Sequence, residues 1–171
     1  MWPLRRRIEP VLAAQAGDDA TAALATILRH HERHVPLDAV RRAIYVDGGD
    51  IPNALQIVNA AATFGLLARG LMIENPAILP SLPMPNIAHL IRSLATLPPD
   101  LAAKLRVRFR LPPEVGVAGQ FAVVEEATPR RIVWVDPDAG RTKTGLREFR
   151  SFSSGVFLVF EKARPLPSSI G

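Results

Sequence analysis

The chain has 171 residues, 48% of them apolar and 22% charged, which suits one domain with a hydrophobic core and excludes a disordered or fibrous chain. It contains no cysteine, so a disulfide framework, a thiolate zinc site and a cysteine nucleophile are all excluded. The formal charge of +5 is carried largely by arginine, clustered at Arg5–Arg7 and at Arg106, Arg108 and Arg110, and without stacking aromatics beside them these clusters read as a solvated basic face, not a nucleic-acid site.

The start of the chain has charge but lacks the apolar stretch of a signal peptide. No segment approaches the ~18 uninterrupted apolar residues that span a bilayer, so the sequence reads as a soluble protein or as the soluble piece of a longer membrane protein. The first predicted helix covers 18–33, where Leu24, Ile27 and Leu28 recur at helical spacing among alanines. Gly17 and the Asp18–Asp19 pair stand at its start, where carboxylates can accept hydrogen bonds from free N–H groups. A short helix over 37–43 follows Pro36, and Asp47, Gly48 and Gly49 form a turn. A third helix covers 52–64, with Pro52 in its first turn, Leu55, Val58 and Ala62 on one face and Gly65 as its C-terminal cap.

The rest of the chain reads mainly as strands, over 67–71, 86–90, 121–125, 132–135 and 156–160, rich in valine and bulky apolar residues. Asp136 to Gly140 is a strong turn signal. Residues 145–152 suit about one helical turn. Between Leu90 and Gln120 the order is interrupted by Pro98–Pro99, a short amphipathic helix over 100–106, and Pro112–Pro113. Pro165 and Pro167 end the ordered part. Helices first and a mainly antiparallel sheet after them define an α+β class. The whole of 1–171 forms one domain, with an ordered core over about 10–163 and a tail or linker over 164–171.

Several of these segments together resemble one family. Asp18 to Leu28 resembles the opening helix of the double-glycine leader peptidases, papain-like domains that stand at the front of peptide-exporting ABC transporters. That family has acid-Cys-Gly-x-Ala-x-Leu here, and Ala22 and Leu24 match without gaps. Val35-Pro36-Leu37 with Val40 and Arg41 resembles its second helix, and Asp47-Gly48 with Phe64-Gly65-Leu66 its third. Pro83 to His89 resembles its Pro-x-Ile strand, and Phe121 to Glu125 the strand that begins with the catalytic histidine. Asp136-Pro137-Asp138-Ala139-Gly140 resembles the turn that carries the third catalytic residue, and Phe149, Phe152 and Gly155 to Glu161 resemble the closing strand. The similarity is greatest to exporters of bacteriocin and other natural-product peptides, and it runs in order over about 10–163. It implies the papain-like fold, with N-terminal helices packed on the sheet.

The resemblance also implies that the catalytic set is degenerate. Asp19 stands where the nucleophilic cysteine belongs, Ala20 where the glycine belongs, and Gln120 where the histidine belongs. Ala13 stands at the place of the oxyanion glutamine, with Gln15 a displaced candidate, and Asp136 is retained. A carboxylate is a poor nucleophile for an amide and suits a helix cap, and glutamine cannot act as a base. Asp136 suits turn formation. His30, His31 and His34 lie roughly 15 Å from Asp19 along a helix. The spacing of His30 and His34 matches a metal pair, but nothing in the sequence completes it. His89 falls on a strand and reads as structural.

No metal, cofactor or nucleic acid is therefore expected. The expected function is a non-catalytic domain that binds a leader peptide or cargo protein at the cytoplasmic face of the inner membrane, beside the membrane and ATP-binding domains of an ABC exporter. A freestanding scaffold or accessory protein is the alternative, and a peptidase with substituted residues a third reading. The family has few residues between the Pro-x-Ile strand and the histidine strand. The insertion over 90–119 is accordingly expected to pack near the former active site.

Overall fold

An extended segment runs along a buried helix, and one threonine ties the two together. Thr26 donates its hydroxyl to Ala22 O at 2.9 Å and accepts the Val11 N–H at 2.9 Å, which pins the N-terminal segment to α1 (Asp19–His30). The computed structural model describes residues 8–13, 18–46, 52–137 and 139–163. Arg5–Arg7, Gln15, Gly17, the expected turn at Asp47–Gly49, Asp138 and the prolines from Pro165 onward lie outside the described residues.

Every residue of α1 from Asp19 to Leu28 is buried, as a helix filled with alanine and centred on Leu24, Ile27 and Leu28 allows. The helix ends at His30 instead of reaching 33. Glu32 turns the chain at φ 60, and the Arg33 N–H closes the end on Leu28 O at 2.8 Å. α2 (Leu37–Ile44) follows. α3 (Ala54–Thr63) is started by a capping box between Asn53 and Gln56, so Pro52 precedes the helix where the first turn was expected. Gly65, at φ +84, ends it as the sequence predicts.

Beyond α3 come β1 (Leu66–Met72), a 3-10 helix (Pro76–Ser81), β2 (Asn86–Ser93), α4 (Pro99–Arg108), β3 (Val117–Ala127), β4 (Arg131–Asp136), β5 (Gly140–Gly145), α5 (Leu146–Phe152) and β6 (Ser153–Lys162). The six strands form one antiparallel sheet in the order β1-β6-β2-β3-β4-β5. The predicted strands are all present and longer at their ends. β5 was not predicted, because its sequence Gly-Arg-Thr-Lys-Thr-Gly has no bulky apolar residue. Such a strand suits a sheet edge, where charged side chains discourage pairing with other chains.

Two cores lie on opposite faces of this sheet. Ile87, Phe121, Val123, Val135 and Leu158 pack under α1–α3, with Leu24 and Ile27 fully buried against them. Ala88, Leu90, Ala122, Val124, Ile132, Trp134 and Phe157 pack on the other face under Phe149 of α5 and Leu79 of the 3-10 helix. The two sets alternate along each strand, as a period of two requires. Each large side chain removed from water in this way stabilises the fold by about 1.5–3 kcal/mol before entropy is counted.

Between β2 and β3 the chain leaves the sheet and returns. Leu94 N–H bonds to Gly116 O at 2.8 Å, closing the mouth of this excursion. The arm so formed, residues 94–116, has its own small core of Leu94, Leu97 and Leu105 packed on Ala118, with Leu101, Ala102, Phe109 and Leu111 around it. The three arginines near its end do not form one face. Arg106 turns inward to Pro112 O and Val115 O at 3.2 and 2.7 Å, Arg108 reaches Tyr45 of the helical layer, and Arg110 occupies a turn at φ 51.

Candidate active-site cleft

The start of α1 carries two adjacent carboxylates, one turned to α2 and one to the sheet, and neither caps its own helix. Asp18 holds the N-cap position without a side-chain cap. Its carboxylate instead takes Arg41 through two nitrogens, at 2.7 and 3.3 Å, and Arg41 also reaches Asp38 at 2.8 Å. Asp19 is 3% exposed, and its Oδ2 accepts the N–H of Phe121 on β3 at 2.6 Å. The expectation that Asp19 caps the helix is corrected: its carboxylate spans from helix to sheet. Thr21, one turn inside α1, is fully buried, and its hydroxyl has no hydrogen-bond partner among the described residues.

The other sequence-predicted positions divide around the sheet. Phe121 and Val123 belong to the core under α1, whereas Ala122 and Val124 belong to the opposite core. β3 pairs with β2 in unbroken register from Val117 to Val124, so Gln120 shares the face of Ala122 and turns away from Asp19. Gln120 is 2% exposed, and its Oε1 has no hydrogen-bond partner among the described residues. Asp136 follows Trp134 onto that same far face. It accepts Arg92 Nη1 at 3.0 Å and the Ala139 N–H at 3.2 Å, and the Arg92 guanidinium lies 5.8 Å over the Trp134 ring. Asp136 is therefore neutralised by a cation and shapes the turn after β4.

Ala13 donates its N–H to Pro137 O at 2.9 Å and brings no side-chain donor. The chain reversal at Glu32 places His34 outside α1, so His30 and His34 do not share a helix face.

What faces Asp19 is a cleft of about 190 Å³, lined with Pro52, His89, Phe109, Leu111, Gly119 and Phe121 among others. It is mostly apolar. Phe109 and Leu111 enter it from the arm, so part of the 90–119 segment stands beside the position matched to the nucleophile. A larger cavity of about 350 Å³ lies at the other end of α1, near His30, Arg131 and Lys143, away from Asp19.

His89 is the residue in the cleft that its strand position concealed. Its Nδ1 lies 2.8 Å from Ser154 Oγ, and Ser154 donates its own hydroxyl to His89 O at 3.1 Å. The neutral ring has one N–H and one acceptor nitrogen, and Nδ1 meets a hydroxyl that can serve either of them. Burial lowers the His89 pKa below the ordinary 6.5, which favours this neutral form. A Cβ at residue 119 would stand 2.8 Å from Nε2, so the ring fits over Gly119 because that position has no side chain. The cross-strand pair His89 and Phe121, with ring centroids 5.0 Å apart, follows from the β2–β3 register. That register was the signal available for locating His89.

Tyr45 stands at the end of α2. Arg108 donates to its hydroxyl at 3.2 Å and lies 5.7 Å over its ring. Burial, with the Asp19 and Asp18 charges adding to it, raises the phenol pKa against the opposing pull of Arg108.

The family model for the peptidase C39 family matches residues 7–95, more than half of the chain. The chain belongs to the peptidase C39 family. The matched C39 segment takes in Asp19 and His89 and ends at the root of the arm. Among solved structures, the C39 chain is similar to a double glycine motif protease from an AMS/PCAT transporter, in complex with its leader peptide. Identity is 24% over 94% of this chain and 96% of that one, with a TM-score of 0.69. It is also similar to the peptidase domain of Streptococcus ComA, a bi-functional ABC transporter. There identity is 18% over 92% and 99% of the two chains, again with a TM-score of 0.69. The Streptococcus mutans ComA peptidase domain has 18% identity over 91% and 99%, with a TM-score of 0.56. These likenesses show the papain-like α+β fold. No curated protein matches the chain.

Proposed function

We propose that this C39 domain binds a leader peptide or cargo protein for an ABC-type peptide exporter and does not cleave it. One observation carries the reading: the position matched to the nucleophile holds a carboxylate that is buried and already bonded to the Phe121 N–H. C39-type hydrolysis needs a thiolate poised near a base, and the chain has no cysteine. Gln120 offers no base, and its strand register turns it to the far face. The retained Asp136 serves Arg92 and a turn, with no histidine to orient.

Binding requires none of these groups. An amphipathic peptide docks through apolar side chains in a groove, and the cleft beside Asp19 supplies apolar walls from Pro52, Val117, Ala118 and Phe121, with the His89 ring beside them. The related transporter protease crystallised with its leader peptide makes a leader-like segment the natural partner. By the same relationship, the domain works at the cytoplasmic face of the inner membrane, beside the membrane and ATP-binding parts of an exporter. Among the described residues no helix is long and apolar enough to cross a membrane.

The test uses a fluorescent peptide with a double-glycine leader. Anisotropy measures binding, and mass spectrometry of the same mixture measures cleavage. Saturable binding with an intact peptide is expected. Cleavage that disappears in Asp136→Ala overturns the non-catalytic reading, and failure to bind any leader peptide overturns the export reading.

A further inference from the structure

The arm over residues 94–116 is built as a separate unit. Its buried residues form their own cluster on Ala118, distinct from the two cores of the sheet. Arg106 satisfies carbonyls of the arm itself, at Pro112 and Val115. The arm is joined to the sheet at the hairpin mouth, where Leu94 meets Gly116. From there its end reaches the helical layer at one contact. Phe109 and Leu111 reach the cleft beside Asp19, and Arg108 fastens the arm to Tyr45 of α2 by a hydrogen bond at 3.2 Å and a ring contact at 5.7 Å.

We propose that the arm is an autoinhibitory cover: Phe109 and Leu111 occupy the side of the cleft that a bound peptide takes, and the Arg108–Tyr45 contact is the latch that holds them there. The proposal rests on the peptide-binding reading for its ligand, but the latch is a property of the free domain. The cleft's sheet wall continues through Val117, which lines it, to Ile91; the two are 49% and 44% exposed. On this paired register they are neighbours of His89 and Gly119. A peptide with apolar side chains that extends along this face into the cleft meets Phe109 and Leu111 and displaces them. The latch suits a gate because it is weak. A guanidinium–phenol bond with a ring contact at a half-buried site shifts a closed-to-open ratio by roughly ten-fold, far less than global unfolding requires.

Hydrogen exchange on the free domain tests the latch. In Arg108→Ala, and more mildly in Tyr45→Phe, the amides of 100–111 exchange roughly ten-fold faster, while those of α1 and of 121–124 keep their rates. Unchanged exchange in the arm, or acceleration of the arm and body together, overturns the latch. The cover is tested separately. The chain has no cysteine, so Tyr45→Cys with Arg108→Cys can be bridged by a bis-maleimide or capped singly with a mono-maleimide. Bridging is expected to abolish binding of a double-glycine leader peptide, and capping to preserve it. Equal binding by both forms overturns the cover. If the wild type and the Arg108→Ala variant both fail to bind, the peptide reading fails while the exchange result still decides the latch.

Discussion

The two faces of the sheet hold their buried polar residues in different ways. The helix-covered face keeps the buried start of α1 and the cleft, but its carboxylate is bonded into the framework. The opposite face receives Gln120 and Asp136, and there Arg92 pairs with Asp136 and lies over the Trp134 ring. A catalytic triad demands that its groups meet at hydrogen-bond distance. Here a helix-to-sheet bond and an ion pair stabilise the two sides of the sheet separately. The difference teaches that strand parity, not nearness in sequence, decides which buried polar residues can act on one another.

The sharpest way to break this comparison is through the far-face core. Phe149 is fully buried and meets Trp134, Phe152 and Phe157 at ring separations of 5.3–6.5 Å. Phe149→Ala is expected to cost about 3–5 kcal/mol, measured by urea unfolding. A loss below about 1 kcal/mol denies that this face is a tightly packed core.

A smaller effect isolates the retained acid. Arg92→Ala removes the guanidinium hydrogen bond to the buried Asp136 carboxylate, at about 2–3 kcal/mol, in the range of a hydrogen bond to a charged group. Arg92→Lys recovers part of the loss, because a single ammonium cannot reproduce the guanidinium over Trp134. Leader-peptide affinity is expected to stay within about two-fold of the wild type, since the pair lies on the face away from the cleft. A large change in affinity with intact stability places Asp136 back in the binding site.

The smallest effect concerns pH. Burial lowers the pKa of both His89 and His31 below 6.5. The unfolded chain therefore binds protons more readily than the folded one as pH falls through 6.5. Stability is complete above that value, declines below it, and levels off once the folded histidines are also protonated. The urea midpoint is expected to be lower at pH 5.5 than at pH 7.5, with a smaller difference in His89→Gln. A midpoint that rises on acidification contradicts the buried neutral imidazole.

Much of the fold was legible because it depends on local chemistry. The alanine-rich α1, Gly65 at the end of α3, the valine-rich β3 and β4, and the proline that opens α4 each carry their own signal. β5 was not legible, because an edge strand of glycine, threonine and cations is specified by its neighbour β4 and not by its own residues. For the candidate site the sequence offers positions and no arrangement. Sequence matching placed Asp19 and Gln120 together, but strand parity separates them, since one residue of register exchanges the faces. The contacts of Asp136 with Arg92 and of Tyr45 with Arg108 join residues 44 and 63 positions apart. Periodicity within a single element carries no record of such pairs.

The hairpin mouth has a consequence for how this fold can be altered. β2 and β3 are paired along their whole overlap, from Asn86 with Val124 to Ser93 with Val117, before the arm begins. The ends of the excursion are held together by the ladder whatever lies between them. Lengthening the intervening segment adds only the slow logarithmic growth of loop-closure entropy, about 0.6 kcal/mol for each doubling, while replacing it also gives up the small core packed on Ala118. The junction at Leu94 and Gly116 is therefore a port at which foreign segments of quite different length can be exchanged, each delivered to the same place beside the cleft.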